Sequence, residues 1–286
     1  MLRSALACIT AFFVSFSARA TGCPDHYAGG RPPTITRTSL KPRTQELCFQ
    51  AFGVMHSGLS RGPLWSAEHL LRAEVEDAEQ LIRKDSFHAE PRLPAADRAE
   101  LADYARSGFD RGHMSPNGDM ADPASQAQSF SLANIVPQQH TPNAGVWAGI
   151  EAAVRRLARQ DGEVYVVTGP AFLGESIGSL KGRVLVPTHV WKVVYSPRQK
   201  AAGAHLVANR SDASTASAMS VTTLEQVVGL QLLPGVPQHV RDTSLALPMP
   251  AGQAARRRQG EPVPQAGHGL LGRAQQAIEW LLKHFR

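Results

Sequence analysis

Phe109-Asp110-Arg111-Gly112-His113-Met114, then Asn134-Ile135-Val136-Pro137-Gln138, then Asn143-Ala144-Gly145-Val146-Trp147 and Glu151 form the densest run of potentially chemical side chains in this chain. They fall in and just after residues 107–146, a stretch rich in Gly, Pro, Asn and Ser that reads as largely irregular. An irregular stretch of that length inside a compact domain is uncommon, and where it occurs it often carries function. His113 supplies a base that titrates near neutrality. Asn134 and Asn143 offer amide oxygens, which suit a hard cation such as Mg²⁺. Glu151 follows Asn143 by eight residues, about two helical turns, so the two are expected on the same side of one helix. Arg111 presents a planar fork for phosphate oxygens. A base, hard-cation ligands and a guanidinium are what phosphodiester hydrolysis needs: one group activates water, the others stabilise charge on the phosphoryl and leaving oxygens.

Downstream of this stretch, Gly149–Gln160 has a helical period. Ile150, Ala153, Val154 and Leu157 recur every three or four residues, with Arg155, Arg156 and Arg159 between them. Val164–Thr168, Val184–Val186, Trp191–Tyr195 and Ala204–Asn209 read as strands, and Val221–Leu232 as a helix stopped by Pro234. Upstream, residues 21–45 read as an extended arm. Leu47–Ser57 and Pro63–Arg72 look like short strands, 84–98 like a loop, and Ala95–Tyr104 like a short helix. Strands and helices mix without strict βαβ alternation, so the expected class is α+β rather than a parallel doubly wound sheet. No internal repeat is visible.

The whole chain has 286 residues, 43% apolar and 19% charged, with three cysteines. That composition excludes a fully disordered chain, a collagen and a disulfide-dense miniature scaffold. Residues 1–20 read as a signal peptide: Arg3 at the start, an apolar stretch Ala5–Phe16, and Ala18-Arg19-Ala20 as the cleavage site. Export to the periplasm or the medium follows, with no membrane span left after cleavage. Cys8 departs with the leader, and Cys23 and Cys48 are expected to form a disulfide in an oxidising compartment. The net charge of +6 sits at the two ends. Two arginines belong to the leader and residues 249–286 carry a further net +4, so the body over 21–248 is neutral, with 22 bases and 22 acids. Such a body is not built as a general polyanion binder, though a local patch can still take nucleic acid. Residues 248–269, with Arg256, Arg257 and Arg258, have a linker composition, and 270–286 read as an amphipathic helix. The domain proper is therefore placed at 21–247.

Several motifs fail. Gly58-Leu59-Ser60-Arg61-Gly62 matches G-x-S-x-G by letter, but Pro63 and a strand follow it where a nucleophile elbow needs a helix. The chain has no phosphate-binding P-loop, no dinucleotide glycine fingerprint and no H-E-x-x-H. Two mature cysteines cannot build a four-cysteine zinc site.

Asp110-Arg111-Gly112-His113 resembles the D-R-G-H signature of the DNA/RNA non-specific endonucleases, which are ββα-metal or His-Me finger nucleases. Asn134-Ile135-Val136-Pro137-Gln138 resembles the N-x-x-P-Q of that family. The run Asn143, Gly145, Trp147, Glu151 resembles its N-x-[GN]-x-W-x-x-x-E, and Leu64–Leu70 its W-x-A-E-H-L strand. The likeness runs in family order from about Leu47 to Leu247. It implies a ββα-metal core, Mg²⁺ or Mn²⁺ as cofactor, and DNA and RNA as substrates held through their phosphate backbones. Roles follow position by position. His113 takes the proton from the attacking water, and Asn143 is the direct protein ligand of the ion. Glu151 holds water around the ion and helps protonate the leaving oxygen. Asn134 orients groups around the ion, and Arg111 fixes the site and its phosphate. Arg83 is the candidate for an upstream arginine at the scissile phosphate, and the product is a 5′-phosphate. Some relatives dimerise, so a homodimer is compatible with the reading. Two other readings stand beside it: a non-catalytic nucleic-acid-binding or uptake protein on the same scaffold, and a serine hydrolase acting through Ser60.

Overall fold

The computed structural model describes residues 22–174 and 176–247; the leader, the basic linker and the final helix expected from the sequence lie outside them. Seven antiparallel strands make the central sheet. In chain order they are β1 (Thr44–Cys48), β2 (Phe52–Ser57), β3 (Gly62–Leu71), β6 (Glu163–Ala171), β7 (His189–Ser196), β8 (Ala201–Ala208) and β9 (Ala216–Met219). Their spatial order is β9-β8-β7-β6-β3-β2-β1. Two further strands, β4 (Asp110–His113) and β5 (Ile135–Gln138), pair only with each other. The gap in chain order between β3 and β6 thus holds the whole chemical stretch, so the irregular region of the sequence is an excursion from a continuous sheet.

Each face of the sheet is covered. On one face Trp65, Ala67, Val167, Trp191 and Val193 pack against the arm through Cys23, Tyr27 and Ala28. The helix Val221–Val228 covers the same face through Val221, Leu224, Val227 and Val228. On the other face Leu70, Val164, Val166, Val190 and Val194 meet Ile150, Ala153, Val154, Leu157 and Ala158 of the long helix Ala148–Asp161. Residues alternate between these layers because successive strand side chains point to opposite faces. The second face is not wholly apolar. Ser66, Thr168, Lys192 and His205 lie on one line of register across four strands, and Glu68 is one step further along β3.

Cys23 and Cys48 form the expected disulfide, tying the arm to the end of β1. The loop from Gly58 to Arg61 is the turn between β2 and β3. Ser60 there hydrogen-bonds to the carbonyls of Ser57 and Gly62, which makes it a turn residue.

Three boundaries differ from the sequence reading. Leu47–Ser57 is two strands of a hairpin, turned at Phe49-Gln50-Ala51, where the Phe49 N–H donates to Phe52 O. Ala95–Tyr104 is helical only over Leu101–Tyr104, because Glu100 and Asp103 form a capping box that starts the helix there. Val221–Leu232 stops at Val228, since Gly229 adopts φ +72°, and Leu230–Gln231 then pair with Thr34–Ile35 of the arm.

Candidate active site

The strand β4 ends at His113, and the strand β5 starts one residue after Asn134, so the hairpin sets these two side by side. Asn134 is fully buried. Its Oδ1 accepts from the Ser115 N–H at 3.0 Å, and its Nδ2 donates to the carbonyls of Ser115 at 2.8 Å and Ser129 at 2.9 Å. Every polar atom of this amide is therefore spent on backbone, and two of the three bonds hold Ser115, just past His113. Gly112 of D-R-G-H has an equally local cause. A Cβ there would overlap Gln138 Oε1 and stand 2.8 Å from Gln138 Cβ. The glycine of one motif and the glutamine of the next interlock across the hairpin.

His113 is nine-tenths buried, and its Nε2 has no hydrogen-bond partner. The ring is held between Phe87, centroids 5.5 Å apart, and Phe130, at 5.0 Å and nearly perpendicular. Burial lowers its pKa to about 3; the positive charge of Arg83 adds to this and Asp85 opposes it. It is thus a neutral imidazole at physiological pH. The same two phenylalanines carry the two candidate arginines. The Arg111 guanidinium lies 4.2 Å from the Phe87 ring centre, and that of Arg83 lies 5.4 Å from the Phe130 ring centre. Both arginines are exposed, and Arg83 also pairs with Asp85. The Asp110 carboxylate beside Arg111 takes His140 Nδ1 and Asn143 Nδ2, both at 2.9 Å.

That last bond decides how Asn143 is presented. A carboxylate only accepts, so it fixes the amide with its NH₂ towards Asp110 and leaves Oδ1 as the other end. Among the described residues no hydrogen bond engages that oxygen. An oriented, unspent carbonyl oxygen beside a carboxylate fits a hard-cation ligand. Asn143 opens a π-turn, Asn143–Trp147, from which the helix Ala148–Asp161 continues. Eight residues at 3.6 per turn overshoot two turns by about 80°. The wider i→i+5 turn takes up part of that overshoot and brings Glu151 back towards the line of Asn143.

Glu151 is part-buried, and desolvation of its carboxyl pushes the pKa up to about 7, with Asp119 raising it and Lys192 and Arg155 opposing. Asp119 is buried and ion-paired with Arg155 at 2.7 Å, which clamps the β4–β5 excursion onto the helix. Lys192 is fully buried; its Nζ donates to Thr168 Oγ1 at 2.8 Å and reaches the Met114 carbonyl at 3.5 Å. It also lies 5.3 Å from the ring centre of Trp147, which is itself buried in the core.

His113 and Arg111 thus come from β4, Asn134 from the turn that leads into β5, Arg83 from the loop before Phe87, Asn143 from the π-turn and Glu151 from the helix that follows it. Sequence reasoning missed Phe87 and Phe130, His140, Asp119, Glu68 and Lys192. The last two had a signal: each is a charge inside an apolar strand, on the face whose neighbours meet the long helix.

A model of the DNA/RNA non-specific endonuclease family matches residues 31–239. The chain belongs to this family. Among proteins similar to this chain is nuclease C1 of Cunninghamella echinulata var. echinulata, 34% identical over 177 residues, covering 57% of this chain and 70% of that protein. The human mitochondrial nuclease EXOG is 31% identical over 213 residues, 67% of this chain and 57% of its own length. Bovine mitochondrial endonuclease G is 32% identical over 194 residues, 63% and 64% of the two chains. A crystal structure of an EndoG/EndoGI complex contains a chain that superposes with TM-score 0.59 at 26% identity. The match covers 70% of this chain and 92% of that one. The large antiparallel sheet with its β-hairpin and helix is thus the ββα-metal architecture of the family, an α+β fold. The relatives are nucleases, and this chain spans between 46% and 70% of the length of the curated ones.

Proposed function

We propose that this chain is an exported, cation-dependent endonuclease that hydrolyses phosphodiester bonds in both DNA and RNA without reading sequence. The observation that carries the reading is His113: a neutral, buried imidazole with an unspent Nε2, mounted between two arginine-bearing phenylalanines. A binding protein has no use for a base kept free in this way.

A Mg²⁺ or Mn²⁺ ion, held by Asn143 Oδ1, would neutralise charge on the scissile phosphate as the bond to the leaving oxygen breaks. His113 accepts a proton from water, whose oxygen attacks phosphorus in line. The P–O3′ bond breaks, and Glu151, whose raised pKa lets it carry a proton near neutral pH, donates to the departing O3′. The net change is one water consumed, a 3′-hydroxyl and a 5′-phosphate. Arg83 and Arg111 bind the phosphate oxygens through the groups they expose, and Asn134 holds the backbone that follows His113 in place. All of these contacts go to phosphate, so base identity has no handle on the reaction. The leader and the Cys23–Cys48 disulfide support export, since such a bond persists where thiols are not kept reduced.

The test uses residues 21–286 with supercoiled plasmid and single-stranded RNA. Cleavage of both in Mg²⁺, lost in EDTA and in His113→Ala, is the expected result. Cleavage of DNA alone withdraws the sugar non-specificity. A folded protein that retards DNA in a gel but cuts nothing in Mg²⁺, Mn²⁺ or Ca²⁺ overturns the enzyme reading in favour of a binding protein.

A further inference from the structure

Glu68 has no account in the mechanism above, and its position is costly. It is fully buried on β3, and neither carboxylate oxygen has a hydrogen-bond partner. An ionised carboxylate without partners is among the most expensive groups a protein can bury. Unpaired buried groups of this kind concentrate at functional sites, where stability is given up for chemistry.

The charges around it can be counted. Lys192 from β7, Asp119 from the β4–β5 excursion and Glu151 from the long helix all act on it electrostatically, while the nearby Ser115 hydroxyl pairs with Ser66 Oγ at 2.7 Å. Arg155, one helical turn beyond Glu151, is already matched by Asp119 at 2.7 Å. Two carboxyls, Glu68 and Glu151, then remain against one buried ammonium, whose bonds go to Thr168 and Met114 and not to either carboxyl. Two negative charges and one positive in a desolvated space leave an excess that a single proton cancels. His205, next to Lys192 in the register, adds no charge, because burial lowers its pKa to about 4.

We infer that Glu68 is a positioning residue that acts through Glu151: the two carboxyls hold one proton between them against the ammonium of Lys192. The pair titrates as a unit. The first proton leaves with the help of Lys192; the second is retained because losing it would set two carboxylates against one cation. Glu68 thereby widens the pH range over which a proton remains available for the leaving oxygen. This inference rests on the nuclease reading for its catalytic part, and on the buried charge count alone for its stability part.

Two measurements test it with Glu68→Gln and Lys192→Met. In the first, kcat is followed against pH with Mg²⁺. Glu68→Gln leaves a single carboxyl with the cation to itself, so its alkaline limb moves down by roughly one pH unit. Lys192→Met removes the cation, and its limb moves up. An unmoved limb in folded Glu68→Gln, or limbs that move the same way in both variants, overturns the inference. In the second, thermal midpoints are taken in EDTA, where catalysis plays no part. The native pair keeps a proton that the unfolded chain has lost above pH 4.5, so wild-type stability falls as pH rises above that value. Glu68→Gln lacks this loss, so its midpoint exceeds that of wild type by more at pH 8 than at pH 5. A difference that does not change with pH overturns the charge count. A wild-type protein that cuts nothing removes the nuclease reading, and the melting series then decides the pair by itself.

Discussion

The two faces of the central sheet are built from the same seven strands and used in opposite ways. On the arm face, Trp65 and Trp191 are fully buried among Ala67, Val167, Val193 and the helix Val221–Val228, and the packing is that of an apolar interior. On the helix face, Ser66, Glu68, Thr168, Lys192 and His205 are buried under Ala148–Asp161, and the β4–β5 hairpin sits above them. The first face gains from every side chain it covers. The second pays desolvation to hold charges near His113 and Glu151. The difference teaches where stability and chemistry separate in this fold: substitutions on the arm face should lower melting temperature with little direct effect on turnover, and loss of the base on the hairpin side the reverse.

The largest separation is expected at His113. Replacing it with alanine should lower kcat by about 10²- to 10⁴-fold, the range of a lost general base, with the melting temperature at pH 7 close to wild type. The pH dependence of stability sharpens this. The folded pKa of about 3 lies below the ordinary value of 6.5, so the unfolded chain binds a proton that the native state refuses between those two values. Wild-type stability contributed by this group is intact above pH 6.5 and is lost as pH falls towards 3. His113→Ala lacks that loss, and should gain on wild type in a melting series between pH 7 and pH 4. A series in which the two proteins track each other would break the picture of a buried neutral base.

Trp191→Ala is the matching experiment on the arm face. A fully buried indole whose N–H donates to the Pro170 carbonyl is removed, at a cost of about 3–5 kcal/mol. Chemical denaturation should show that loss, while kcat of the fraction still folded stays within a few-fold of wild type. Next in size is the disulfide. Cys23→Ser with Cys48→Ser frees the arm over a sequence separation of 25, which predicts about 3 kcal/mol less stability, again without a comparable change in turnover. A large drop in kcat in either case, at a temperature where the protein is folded, would show that the arm face communicates with the site.

How much of this was legible in the sequence depends on what each feature leaves in the letters. The strands were readable because Val, Tyr and Trp cluster at 164–168 and 191–195, and the long helix because its apolar residues keep a 3.6-residue period. D-R-G-H, N-x-x-P-Q and N-x-G-x-W-x-x-x-E were readable because the chemistry demands those residue types at those positions. The π-turn at Asn143–Trp147 was not, since nothing in Asn-Ala-Gly-Val-Trp specifies one extra residue in a turn; the expectation of two plain helical turns differed there. Glu68 and Lys192 were missed for another reason. One charge in an apolar strand reads as the residue that faces water, and only the layers of the fold show that both faces are covered. Phe87 and Phe130 lie in loop-like sequence, where an aromatic residue carries no period to mark it.

Gly112→Ala probes the hairpin itself. The new methyl group would press on Gln138, which is fully buried and is met as close to its backbone as Cβ. Overpacking of this kind costs roughly 1–3 kcal/mol, and it moves the residue next to His113, so both melting temperature and kcat should fall. Pairing it with Gln138→Ala should restore part of both. A double variant no better than the single one would mean that the glycine is required for some other reason than the interlock.

Asp110→Ala carries the smallest expected effect and the most specific one. Asp110 touches neither the base nor the buried charges; its carboxylate holds Asn143 Nδ2 and His140 Nδ1, both at 2.9 Å. Without it the Asn143 amide is free to turn, and its oxygen is presented only part of the time. The site then behaves as one whose binding-competent state is fractionally populated, and apparent affinity for the ion falls by that fraction. We expect the Mg²⁺ concentration for half-maximal rate to rise by about tenfold, equivalent to about 1.4 kcal/mol, with kcat at saturating Mg²⁺ near wild type and stability changed little, since the carboxylate is part-exposed. His140→Ala separates the two bonds: it leaves the Asn143 contact in place and should shift the Mg²⁺ requirement much less. If Asp110→Ala instead lowers kcat at saturating Mg²⁺ and leaves the half-saturation point unmoved, the carboxylate orients the reacting phosphate or the base, and Asn143 owes its orientation to the π-turn alone.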